Sequence, residues 1–171
     1  MVEPHLTAPS AVWGRMCIHM GALTLGDFSN KHCALYSPYV SFKYLAQSQK
    51  RLWDDAFDEL SPEQIHDQVR SAIYGDDGSE TVSRRFEPFD FLTNWGEHFD
   101  GYSSVICSPT DGTIMILHRP RVTQNRPRRL AADFVVASCT RAGFITASGQ
   151  FAEWFESESK RLSLPGEHSL A

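Results

Sequence analysis

Two short apolar runs with a turn between them constrain this chain most tightly. Tyr102–Cys107 and Thr113–His118 are rich in β-branched and apolar residues, and Ser108-Pro-Thr-Asp-Gly112 joins them. A connection of this length holding Pro, Asp and Gly suits a β-hairpin, since Pro109 presets φ and Gly112 can take positive φ. In the first run Tyr102, Ser104 and Ile106 share one face, and Ser103, Val105 and Cys107 share the other. Ile114-Met-Ile-Leu117 is apolar on both faces, so the second strand is expected deeper in its sheet. Just upstream, Trp95, Phe99 and Tyr102 interleave with Glu97, His98 and Asp100. That mixture reads either as an exposed recognition loop or as the packed approach to the hairpin.

Helical periodicity occupies much of the rest. Leu45, Gln49, Leu52, Trp53, Ala56, Phe57 and Leu60 recur at three- and four-residue steps, which predicts an amphipathic helix over 45–60. Its other side carries Lys50, Arg51, Asp54, Asp55, Asp58 and Glu59. The bases precede the acids, the unfavourable order for the helix dipole, so packing of Trp53 and Phe57 has to hold it. Ser61-Pro-Glu-Gln64 is a helix start, with Ser61 capping, Pro62 in the first turn and Gln64 completing a capping box. Ile65, Val69, Ala72 and Ile73 then form a buried stripe over 62–74, and Gly75-Asp-Asp-Gly78 ends the helix. The short joint between these segments predicts a helical hairpin.

Ser79–Glu87 is polar, a loop or an irregular strand, and Pro88 to Trp95 predicts a short helical turn beneath the hairpin. Leu130–Ala137 alternates, with Leu130, Ala132, Phe134 and Val136 on one face, and is read as a third strand. Thr140 caps a closing helix over 141–160 whose Phe144, Ser148, Phe151 and Phe155 line one face. Gly143 and Gly149 each weaken that helix by about 1 kcal/mol. Towards the start, Met16–Met20 reads as a strand, and Ala34–Tyr44 is aromatic-rich with Pro38 as its opening.

The expected fold is therefore α+β: a small antiparallel sheet (hairpin about 102–118 plus strand about 130–137) covered by helices about 45–60, 62–74 and 141–160. At 171 residues one domain is expected, with 1–20 as a loose extension and 163–171 as a frayed tail. An apolar share of 42% is enough for a real core. No apolar run approaches the length of a membrane span, and the first 25 residues lack a signal-peptide pattern, so a cytoplasmic protein with no membrane partner is expected.

Charge is uneven. Residues 54–100 hold 13 acidic and 3 basic groups, while the chain as a whole is −5. A negative block of this kind steers basic partners, although runs of charge are usually no more than a solvated face. The overall acidity argues against nucleic acid as a partner. Arg119–Arg129 holds five arginines in eleven residues, a phosphate- or carboxylate-contacting loop or a solvated connection.

Catalytic motifs are missing. Cys17, Cys33, Cys107 and Cys139 lie far apart, unlike the close pairs of a zinc site, so no metal or other cofactor is assigned. Asp76-Asp-Gly-Ser-Glu80 lacks the spacing of a calcium loop. His66, His98 and His118 fall on different elements, and no nucleophile motif accompanies them. The candidate contact residues are instead Asp54, Asp55, Asp58, Glu59, Asp76 and Asp77 of the acidic block, with Trp95, Glu97, Asp100 and Tyr102 of the aromatic-acidic loop.

The run Asn94-Trp-Gly-Glu-His-Phe-Asp-Gly-Tyr102, the hairpin after it and the late Gln150-Phe-Ala-Glu-Trp-Phe155 helix resemble small bacterial toxin-immunity proteins over residues 88–156. Such proteins are cytosolic α+β domains encoded beside polymorphic toxins of contact-dependent or type VI systems. The resemblance implies binding without catalysis, a cognate protein toxin as partner, and an acidic face against the basic channel of a nuclease toxin. Two other readings stay open: an interaction adaptor, and a metal-dependent hydrolase built on the Asp/Glu cluster.

Overall fold

The sheet is built outward from the hairpin. In a computed structural model, which describes residues 5–21, 23–26, 28, 32–47, 52–76, 79–109, 112–120 and 134–163, β6 (Tyr102–Cys107) and β7 (Thr113–Pro120) pair antiparallel. Gly112 takes the positive φ that the turn requires, at 75°. β5 (Asp90–Phe91) joins β6 and β8 (Val135–Thr140) joins β7, giving the order β5-β6-β7-β8. Two interior strands explain why Val105, Ile106, Ile116 and Leu117 are all fully buried. The depth expected of the second strand is shared by the first.

Cross-strand partners lie on one face, so the register sorts the layers. Ser103 lies across from Arg119 and Val105 from Leu117. On this face sits α2 (Pro62–Tyr74), whose His66 Nε2 is 3.1 Å from Ser103 Oγ and whose Asp67 accepts from Arg119 at 2.8 Å. Ser104, Ile106, Ile116 and Ala137 occupy the opposite face. There α1 (Tyr36–Gln47) and α4 (Arg141–Leu162) pack together, with the Phe42 and Phe144 rings 5.8 Å apart. The fold is α+β, a four-stranded antiparallel sheet between helical layers.

Local signals explain the elements that match expectation. Ser61 Oγ accepts from Gln64 N and the Gln64 side chain accepts from Ser61 N, a closed capping box that sets the start of α2. Thr140 likewise caps α4 through Gly143 N. Ile65 and Val69 are buried as the stripe requires.

The expected helix over 45–60 is not formed, and with it goes the helical hairpin. The helix lies earlier, as α1, and Pro38 falls in its first turn, where a missing N–H breaks no helical bond. Residues 48–51 lie outside the described residues. Asp54 is extended, and its carboxylate accepts from Ala56 N at 2.9 Å, opening a single 3₁₀ turn over Asp55–Phe57. An aspartate that captures a nearby backbone N–H offers the chain a local alternative to helix. The apolar period was still informative, since Leu52 and Phe57 are buried.

Other boundaries moved as well. Ser79–Glu87 is helical: α3 (Glu80–Phe86) starts on a Ser79 cap and runs into a 3₁₀ turn over Glu87–Phe89. The third strand begins at Val135, beyond the described start of 134, and its earlier half at 130–133 lies outside the described residues. Ile116 pairs with Ala137, so Ala137 faces the core while Val136 is exposed, the alternation reversed by one position.

Residues 10–20 are not a loose extension. β1 (Trp13–Gly14) pairs with β4 (Cys33–Ala34), and β2 (Ile18–Met20) pairs with β3 (Leu23–Leu25). Ser10 N donates to Leu162 O at 3.1 Å, and Val12, Leu35, Phe155 and Leu162 form a second buried cluster. The tail expected at 163–171 lies, from residue 164, outside the described residues.

Candidate functional site

About half of the carboxylates in the acidic third of the chain are paired, some with its own arginines and some with Trp53 and Arg119. Each of its three basic residues takes one carboxylate: Arg70 bonds Asp90 at 2.9 Å, Arg84 bonds Glu80 at 2.5 Å, and Arg85 Nε bonds Asp54 at 2.7 Å. Arg119 adds Glu63 and Asp67. The Arg85 hydrogen bond in particular holds the Asp54 carboxyl below its ordinary range. Asp58 accepts from Trp53 Nε1 at 2.8 Å.

Four further carboxylates among the described residues face solvent without such a partner. Asp55, Glu59, Asp76 and Glu87 are exposed, and among the described residues no hydrogen bond or ion pair engages their side chains. Asp55 and Glu59 sit in or just after the 3₁₀ turn, Glu87 follows α3, and Asp76 follows α2. The turn and α3 are locked together by the Asp54–Arg85 pair and by the Phe57 and Phe86 rings, 5.9 Å apart. Asp77 lies outside the described residues, as does the arginine loop after Pro120.

Trp95 is not a contact residue. It is 4% exposed, its ring edge-on to Phe42 at 4.9 Å and to Phe91 at 5.0 Å, so the packed reading of this loop holds for Trp95 and Phe99. The reason is backbone: Asn94 and Gly96 both have positive φ, turning the indole inward. At Gly96 a Cβ would meet Cys33 Sγ at 2.6 Å, so β4 presses directly on this turn. Glu97 and Asp100 stay exposed. Burial first, and then these two carboxylates, push the Cys33 thiol up. Tyr102 is half-buried, its ring 4.7 Å from that of His118.

The histidines are interior. His98, considered as a base, is buried with Nδ1 2.9 Å from Cys33 Sγ. His118 Nδ1 lies 2.7 Å from Ser104 Oγ, a base-to-hydroxyl distance suited to nucleophile activation. Both are at most 3% exposed, so that contact is sheet structure and reaches no substrate. Among the described residues no three His, Cys, Asp or Glu side chains converge as metal ligands, and Asp54 and Asp58 are drawn to separate partners, Arg85 and Trp53.

One feature escaped sequence reasoning. A cavity of about 830 Å³ opens between the β2–β3 hairpin, the α1–α4 pair and the sheet residues Ile116 and Cys139. Phe42, Phe144, Phe151 and Trp154 wall it, and Arg15 and His19 also line it. Ser148 Oγ is buried in this lining and has no hydrogen-bond partner among the described residues. A hydroxyl within the apolar stripe Phe144–Ser148–Phe151–Phe155 was the signal that could have found it.

The chain matches no protein-family model, no curated protein and no solved structure. Among the described residues no helix is long and apolar enough to cross a membrane.

Proposed function

We propose that this chain is a cytoplasmic binding protein that neutralises a cognate bacterial toxin by covering a basic surface of it. The observation that carries this reading is the set of carboxylates left over when internal pairing is complete. Asp55, Glu59 and Glu87 are exposed on short turns fixed by the Asp54–Arg85 pair and the Phe57–Phe86 contact. A backbone already held in place needs little ordering on binding, which favours association over the same charges on a flexible loop. The excess of acidic over basic groups in residues 54–100 also speeds encounter with a basic partner and makes that rate sensitive to salt. Glu97 and Asp100, beside β4, add negative charge on the β5–β6 connection. A nuclease toxin, whose substrate channel must attract phosphates, is the partner such a face fits.

The test mixes the chain with the product of the adjacent gene and measures complex formation and protection of cells. Joint charge reversal, Asp55→Lys with Glu59→Lys and Glu87→Lys, should weaken the complex by about 100-fold and slow its formation, given the energies of close interfacial charge pairs. Reversal of the exposed Glu153 on α4 should change it little. No complex and no protection would remove the toxin reading, and capture of a housekeeping protein in its place would favour an adaptor.

A further inference from the structure

The cavity beneath the β2–β3 hairpin is a second place where this molecule can recognise something, and it owes nothing to the acidic face. Its volume of about 830 Å³ falls within the range of small-molecule sites. Its walls are mainly aromatic and aliphatic, and such walls do not hold water well. Into this lining α4 places Ser148, 2% exposed and unpartnered among the described residues. Native folds rarely leave a buried hydroxyl unsatisfied, because its lost hydration is not recovered. A ligand oxygen would recover it.

Among the described lining residues no Asp or Glu takes part, so a ligand's own carboxylate meets no like charge there. A cationic ligand finds no counter-charge in the same set and offers Ser148 no acceptor. We infer that this cavity binds a hydrophobic carboxylic acid, its apolar body against Phe42, Phe144 and Phe151 and one of its oxygens accepting a hydrogen bond from Ser148. Two sources share that chemistry, an acyl chain and an aromatic acid. Met16 and Met20, unbranched and adaptable, suit either shape.

Isothermal titration of the full chain with dodecanoate, 2-naphthoate and dodecyltrimethylammonium tests the inference. At least one carboxylate should bind saturably at one site per chain, about tenfold or more tighter than the cation of equal chain length. Binding of dodecanoate alone assigns an acyl ligand, and binding of 2-naphthoate alone an aromatic one. Ser148→Ala should weaken binding by about three- to tenfold, the worth of one hydrogen bond. Ala147→Trp adds bulk at an exposed lining position of α4, which the core does not constrain, and should abolish binding with the fold intact by circular dichroism. Failure of both carboxylates to saturate at millimolar concentration overturns the inference. So does equal binding of the cation, or wild-type affinity in folded Ala147→Trp. None of these results depends on whether a toxin is bound.

Discussion

His118 Nδ1 lies 2.7 Å from the hydroxyl of Ser104, the residue directly across from it on β6. Burial, with a smaller contribution from His66, lowers the His118 pKa from 6.5 to about 4. Between those values the unfolded chain binds a proton that the folded chain does not. Stability is therefore full above about pH 6.5 and falls with pH toward 4, by about 2 kcal/mol at pH 5. Urea unfolding at pH 7, 6 and 5 should show that slope in the wild type and a flatter one in His118→Gln. A wild-type midpoint unchanged from pH 7 to 5 would contradict this.

The Asp54–Arg85 contact predicts a ranking. Arg85 is more than half exposed, so Arg85→Ala loses only a solvent-screened pair and should change stability little. Asp54→Ala loses the pair and the bond to Ala56 N as well, about 1–2 kcal/mol. Asp54→Asn keeps the cap and should resemble Arg85→Ala. Because the folded Asp54 pKa is lowered, its contribution is present above the ordinary carboxylate range and is lost as pH falls through the folded value. Equal costs for the two alanine variants would argue that the cap is not formed in solution.

Gly96→Ala should be among the most damaging single substitutions in the chain. The residue has φ of 110°, and the new methyl would lie 2.6 Å from Cys33 Sγ and 2.7 Å from its Cβ. Strain and overpacking together should cost about 3 kcal/mol, lowering Tm by roughly 6–12 °C. Cys33→Ala should not rescue it, since the Cys33 Cβ obstructs as much as the sulfur.

Ser148→Ala should have the opposite sign from most core substitutions. It removes a buried hydroxyl with no partner among the described residues and places the best helix former in α4. Without ligand, the variant should be more stable by about 1 kcal/mol in chemical denaturation. Lost stability would indicate a partner for Oγ in solution.

Sequence was most legible where a local rule decides structure. The Ser61-Pro-Glu-Gln64 box sets the start of α2, Thr140 the start of α4, and Gly112 the hairpin turn, each through side-chain or backbone chemistry within four residues. It misled where a local and a periodic signal compete. From Leu45 onward the apolar spacing favours helix, but the Asp54 carboxylate takes the Ala56 N–H, and one turn of 3₁₀ results. The candidate site was legible in part. Carboxylates are easily counted, yet which ones survive pairing depends on Arg85 reaching Asp54 and Arg119 reaching Glu63 across 31 and 56 residues. Asn94 and Gly96 are the residue types that take positive φ most readily, but the direction in which they turn the Trp95 indole depends on Phe42 and Phe91, far away in the sequence.

The clasp between the two ends of the described chain has a consequence in time. Ser10 N donates to Leu162 O, Arg161 reaches Leu6 O, and the Tyr39 ring stacks on Phe155. Val12 and Leu35 have no core of their own until α4 arrives. At ribosomal speeds of about 5–20 residues per second, the span from Ser10 to Leu162 is synthesised over roughly eight to thirty seconds. Throughout that interval β1 and β4 wait for their cover, so this corner of the molecule closes only once α4 has emerged from the ribosome.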